Sequence, residues 1–114
     1  MKFELVHIGI NCENEQGAIA TAEKFCALFH WECKIGNSSV FADKYIECMK
    51  KPFLGKYGHI AVGTPDIDAA MAYLKDCGFS FNEASMKANQ DGQLTAVYLS
   101  DEIGGFAIHL VKIN

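Results

Sequence analysis

The sequence predicts an α+β fold built from two βαβββ repeats. Three observations carry this. Val6-His7-Ile8-Gly9-Ile10 recurs as Gly58-His59-Ile60-Ala61-Val62, with the two histidines 52 positions apart. An amphipathic helical stretch follows each copy, and three short strand-like pieces follow each helix. The expected organisation is a single domain over 1–114, with repeat one at about 1–51 and repeat two at about 56–114.

Phe3 to Ile10 alternates with period two, so it reads as a strand. Phe3, Leu5, His7 and Gly9 are expected on one face, and Val6, Ile8 and Ile10 on the other. Asn11-Cys12-Glu13-Asn14 is a polar break suited to a helix start. Ala18, Ala22, Phe25, Cys26 and Phe29 form one apolar stripe on a helix that should end near Phe29-His30-Trp31. Glu32 to Ile35, Ser38 to Ala42 and Tyr45 to Lys50 read as strands, separated by the turns Gly36-Asn37 and Asp43-Lys44. Lys51 to Lys56 is a linker marked by Pro52 and Gly55.

The second repeat follows the same order. Tyr57 to Gly63 is a strand. Thr64 is placed to cap the next helix and Pro65 to occupy its first turn. Ile67, Ala70, Met71, Leu74 and Cys77 make its stripe, and Gly78 suits a left-handed terminus. Phe79 to Asn82 starts a strand, Ser85 to Gly92 reads as a polar loop, and Leu94 to Leu99 alternates. Asp101 to Gly105 is a turn before the last strand, Phe106 to Val111.

Composition narrows the function classes. Half of the 114 residues are hydrophobic and 21% are charged, as in ordinary globular proteins. The net charge of −4, with no basic run, argues against nucleic-acid and anionic-membrane binding. All ten basic residues are lysine, so no arginine is present for bidentate recognition of phosphate or carboxylate. Cys12, Cys26, Cys33, Cys48 and Cys77 are odd in number and widely spaced. They are expected to be reduced, mostly buried thiols of a cytoplasmic protein. No signal peptide and no membrane-length apolar run are read.

The alternation also sorts the polar strand residues. His7 lies opposite Ile8 and Ile10, and His59 opposite Ile60 and Val62. Glu47 lies opposite Ile46 and Cys48, and His109 opposite Ile108 and Leu110. If each apolar face packs under its own helix, all four polar residues point the other way. Should the repeats curl together, His7, Glu47, His59 and His109 converge. Imidazole and carboxylate suit Zn, Ni, Mn or Fe, and such a mixed set leaves room for substrate. Lys50, Lys56 and Tyr98 are candidates for a pocket rim, whereas His30, at a helix exit, is expected on the surface.

The stretches Val6–Ile10, Tyr45–Met49, Gly58–Val62 and Ile103–Leu110 resemble the vicinal oxygen chelate superfamily along the whole chain. That superfamily includes glyoxalase I, extradiol dioxygenases, methylmalonyl-CoA epimerase and bleomycin resistance proteins. The resemblance implies an open, eight-stranded mixed barrel. It also implies a divalent metal held by the first and last strand of each repeat, here His7, Glu47, His59 and His109. The last position is usually Glu, and His109 is a departure. A His₃Glu set leaves a divalent ion at about +1 and favours an anionic, enolate-like ligand. The implied activity is lyase or isomerase chemistry on a small 2-oxo or 2-hydroxy acid, with Glu47 or a metal-bound hydroxide moving the proton. A homodimer is also implied. His7–Glu15, Gly36–Ala42 and Glu102–Val111 further resemble the C-terminal extension of some bacterial keto-hydroxyglutarate/keto-deoxy-phosphogluconate aldolases. This resemblance implies an alternative role as a non-catalytic, aldolase-associated binding module.

Overall fold

The structure, a computed structural model, describes all 114 residues. The elements run β1 (Glu4–Asn11), α1 (Glu15–Phe29), β2 (Cys33–Ile35), β3 (Ser39–Ala42), β4 (Ile46–Met49), β5 (Gly58–Thr64), α2 (Ile67–Asp76), β6 (Phe81–Ala88), β7 (Leu94–Leu99) and β8 (Phe106–Lys112). The βαβββ order thus occurs twice. All eight strands join one sheet in the order β2-β3-β4-β1-β5-β8-β7-β6. The end strands β2 and β6 do not pair with each other, so the sheet is mixed and open. No helix is long and apolar enough to cross a membrane.

Pairing makes the duplication a near-symmetry. β1 runs parallel to β4 and β5 parallel to β8, while β1 and β5 pair antiparallel at the centre. Each helix packs on the outer face of its own strands. Ala18 and Ala22 of α1 meet Val40, Ala42 and Cys48. Ile67, Ala70 and Met71 of α2 meet Phe81, Val97, Leu99 and Leu110. Small alanines let α1 sit close to its sheet, where tight packing adds dispersion contacts.

Helix ends follow local chemistry. The Asn14 side chain accepts the Gly17 N–H at 2.8 Å and caps α1. His30 closes that helix in the left-handed region, at φ 58°, and lies exposed. Gly78, at φ 96°, follows α2 as expected. The N-cap of α2, however, is Asp66 and not Thr64. The Asp66 carboxylate accepts the Ala69 N–H at 3.0 Å. Thr64 stays extended because it still pairs with Lys112 in the sheet.

Three further expectations are corrected. Leu5 stands opposite Val62 and His7 opposite Ala61, so Val6 is an extra residue in a β-bulge. The bulge turns Leu5 to the α2 side, where Phe3 lies in an apolar groove with Val62 and Leu74. It brings Val6 beside Gly63 on the His7 side. Second, Ser85 to Ala88 belongs to β6 and is not loop. Between Asn82 and Lys87 the β6 ladder gains three residues relative to Tyr98 and Ala96 of β7. Ser85 repairs the gap: its hydroxyl donates to the Asn82 carbonyl and accepts the Tyr98 N–H. Third, only Cys48 is fully buried. Cys12, Cys26 and Cys33 are half-buried, and Cys77 is exposed.

The α2 core predicts a specific cost. Ile67 is 2% exposed within that cluster, so Ile67→Ala should lower unfolding free energy by about 3 kcal/mol in urea titration.

Candidate metal centre

The face away from the helices is floored by small residues. Register places Glu47, Gly9, His59 and Ala107 in one row across β4, β1, β5 and β8. The next row holds His7, Ala61, His109 and Tyr98 across β1, β5, β8 and β7. Large side chains at the row positions therefore lean over Gly9, Ala61 and Ala107. A Cβ built on Gly9 would lie 2.0 Å from Cε1 of His59. Glycine is required there, not for its backbone freedom but because the ring occupies the space.

Three of the expected ligands meet over this floor. His7 Nε2 lies 3.1 Å from His59 Nε2. Oε1 of Glu47 is 3.2 Å from His7 Nε2 and 3.0 Å from His59 Nε2. Ser39 Oγ donates to the other Glu47 oxygen at 2.8 Å. His59 is 3% exposed, His7 16% and Glu47 17%.

His109 stands apart from this triangle. Its ring stacks flat on Tyr98, with centroids 4.0 Å apart and planes 2° apart, and its centroid is 6.1 Å from that of His59. It lines the same cavity of about 600 Å³, together with Ser38, Met49, Phe53 and Ala84 to Lys87. Of the expected rim groups, Tyr98 lines the cavity. Lys50 pairs with Glu15 at 2.8 Å beside a neighbouring groove, and Lys56 lies over the Tyr57 ring. The sequence reading missed Lys87, the one lysine lining the cavity, because β6 there reads as loop. It also missed Phe53. The Asn11 amide donates to the Phe53 and Gly55 carbonyls and its oxygen accepts the Phe53 N–H, drawing the linker over the cavity.

The electrostatics follow from burial and partners. Burial alone would raise the Glu47 carboxyl, but hydrogen bonds from His59, His7 and Ser39 outweigh it and hold Glu47 well below the usual carboxylate range. Burial lowers His109 to about 4, helped by His59, His7 and Lys87 and opposed by Glu47. Burial raises Tyr98 to about 12, and the Glu47 charge adds to this.

The donor set fits a cation. Ligand atoms about 2.1 Å from an ion stand about 3.0 Å apart at right angles and about 3.4 Å apart in a tetrahedron. The observed separations of 3.0–3.2 Å match the first. Without an ion, two Nε2 atoms compete for one carboxylate oxygen while facing each other. His59 Nδ1 is buried with no partner. The ring thus lacks the second hydrogen bond that commonly orients a ligating imidazole, and contact with Gly9 orients it instead.

Two outcomes test this geometry. Gly9→Ala should displace His59 and cost about 1–3 kcal/mol in urea unfolding. Gly17→Ala, where the nearest atom would be 3.4 Å away within α1, should not destabilise. In chelator-treated protein, His109 should also make stability depend on pH. Its folded value, near 4, lies below the ordinary 6.5, so the unfolded chain binds the proton first. Stability should therefore fall as pH drops from 6.5 toward 4, and His109→Phe, which keeps the stack, should flatten that slope in melts taken across this window.

No family model matches the sequence, and no curated protein matches it. Solved structures do. A methylmalonyl-CoA epimerase in complex with methylmalonyl-CoA has a TM-score of 0.66 at 20% identity, covering 98% of this chain and 95% of that one. A Streptomyces coelicolor methylmalonyl-CoA epimerase variant in complex with 2-nitronate-propionyl-CoA has a TM-score of 0.63 at 20% identity, covering 96% and 93%. A hypothetical protein from Bacillus halodurans has a TM-score of 0.65 at 14% identity, covering 100% and 96%. Two βαβββ units, a central antiparallel β1–β5 pair and near-complete coverage in both directions together give this chain the glyoxalase-like, vicinal-oxygen-chelate fold.

Proposed function

We propose that the protein binds one divalent metal ion through His7, Glu47 and His59 and uses it to act on a small 2-oxo or 2-hydroxy acid. The observation that carries this reading is the convergence of three ligand atoms within 3.0–3.2 Å over Gly9. A bound divalent ion supplies Lewis acidity toward neighbouring substrate oxygens and so favours an enolate. The residues of the chain do the rest. Gly9 and Ser39 hold His59 and Glu47 in place. Phe53, Met49 and Met86 give the cavity an apolar wall. Lys87 offers its ammonium to a substrate carboxylate.

We assign the proton-moving role to His109 in place of the expected Glu47, because Glu47 is itself a proposed metal ligand. With the ion bound, Oε1 of Glu47 is a ligand and Ser39 donates to its other oxygen, so Glu47 is a weak base. His109 is neutral near pH 7, faces the cavity and makes no hydrogen bond to the protein. Its ring nitrogens lie outside the group of ligand atoms formed by His7, Glu47 and His59. The class of reaction is α-proton transfer, as in a lyase or isomerase. The solved epimerases hold CoA esters. The absence of arginine and the single cavity lysine favour a smaller acid here.

A second reading has its own support. Glu47 accepts from His7, His59 and Ser39, so the cluster is satisfied in part without an ion. This suits a non-catalytic metabolite-binding module, such as an aldolase-associated domain or a drug-binding homodimer of the bleomycin resistance type.

Metal analysis on untagged protein separates the two. The metalloenzyme reading expects close to one equivalent of Zn, Ni, Mn or Fe, lost in His59→Ala and Glu47→Gln. It also expects His109→Phe to retain metal while losing α-proton exchange of 2-oxo acids in deuterated water, followed by NMR. Occupancy under about a tenth of an equivalent, with no melting shift on adding these ions, sinks it.

A further inference from the structure

Four of the five cysteines gather around the α1 seam: Cys12, Cys26 and Cys33 pack against the cluster that contains Cys48. Two of them are closer than packing requires. Sγ of Cys26, in the last turn of α1, is 2.9 Å from Sγ of Cys33, the first residue of β2. A disulfide bond is about 2.05 Å long, so less than about 1 Å separates the pair from bonding distance.

Both ends of this contact are held by backbone structure. The Cys26 carbonyl accepts the N–H groups of His30 and Trp31, and the left-handed His30 turns the chain back. Cys33 pairs with Ala42 in the β2–β3 ladder, and the preceding Glu32 carbonyl accepts the Asp43 N–H at 2.8 Å. Both thiols are half-buried, so a small reagent can reach them. Burial and the neighbouring Cys33 raise Cys26 to about 11, which keeps the Cys26 thiol protonated at neutral pH and slows its attack.

We propose that Cys26 and Cys33 form a reversible disulfide, with a low-molecular-weight disulfide such as glutathione disulfide as the oxidant. One protein thiolate attacks a sulfur of glutathione disulfide, forming a mixed disulfide and releasing one glutathione thiolate. The second protein thiolate attacks the protein sulfur of that mixed disulfide and releases the second glutathione. Two protein thiols lose two electrons and become one S–S bond. Glutathione disulfide gains them, and the two thiol protons pass to the leaving thiolates. The bond staples the last turn of α1 to β2, a three-residue edge strand that pairs only with β3. The staple restricts the unfolded chain and so stabilises the first repeat. It does not depend on any metal site.

The test is redox titration of the full chain in reduced and oxidised glutathione. Trapping with an alkylating agent, peptide mapping by mass spectrometry and thermal melts give the readouts. The expected result is a Cys26–Cys33 linked peptide, a melting midpoint raised by several degrees and reversal of both by reductant. Cys33→Ser should abolish the shift and trap a mixed disulfide on Cys26. The proposal is overturned if Cys26 and Cys33 stay alkylatable under conditions that load glutathione onto exposed Cys77. It is equally overturned if Cys26 links elsewhere, or if the melting shift survives in Cys33→Ser.

Discussion

The site depends on one missing side chain. The ring of His59 fills the volume that a Cβ on Gly9 would take, 2.0 Å away. With only hydrogen at that position, the imidazole lies down on the sheet and is 3% exposed. Its Nε2 then reaches Glu47 on the far side of β1, across a strand that carries no side chain between them. Any larger residue would lift the ring and open the triangle. The convergence of His7, Glu47 and His59 is thus a steric consequence of a glycine in a central strand, a position where glycine otherwise weakens a sheet.

The near-twofold relation of the repeats supplies the rest of the site, and its imperfection gives the site direction. Gly9 pairs with Glu47 as Ala61 pairs with His109, so Glu47 and His109 are counterparts. Their surroundings differ. Ser39 holds Glu47 inward, and stacking on Tyr98 holds His109 back. One half contributes an anion stabilised by three donors; the other contributes a neutral imidazole facing a cavity. His7, paired with Ala61, is more exposed than His59, which is paired with Gly9. A duplicated scaffold has thereby become a pocket with two chemically distinct sides.

Local irregularities decide what borders that pocket. The Val6 bulge separates Phe3 and Leu5 from His7, although the alternation of residue types runs unbroken through all of them. The extra residues in β6 swing Ala84 to Lys87 over the cavity, and Ser85 replaces the backbone partner that Tyr98 would lose. Asn11 draws Phe53 across from the linker. Each device is a single hydrogen bond or one inserted residue. Each leaves a sequence pattern that reads equally well as plain strand, polar loop or linker.

Periodicity and internal repetition were sufficient to determine both helices, the duplicated βαβββ order and the face on which His7, Glu47, His59 and His109 lie. These depend on side-chain spacing of 3.6 and 2 residues, which is local information. Asp66 displaced Thr64 as the α2 cap because sheet pairing at Lys112 carried β5 one residue further, a contact between distant segments. Tertiary structure alone decided that three of the four polar residues meet and that the fourth stacks on Tyr98. It alone brought Lys87 to the cavity and Cys26 against Cys33. Those outcomes turn on register, bulges and ring packing over Gly9, at distances of a few ångströms that no one-dimensional spacing encodes.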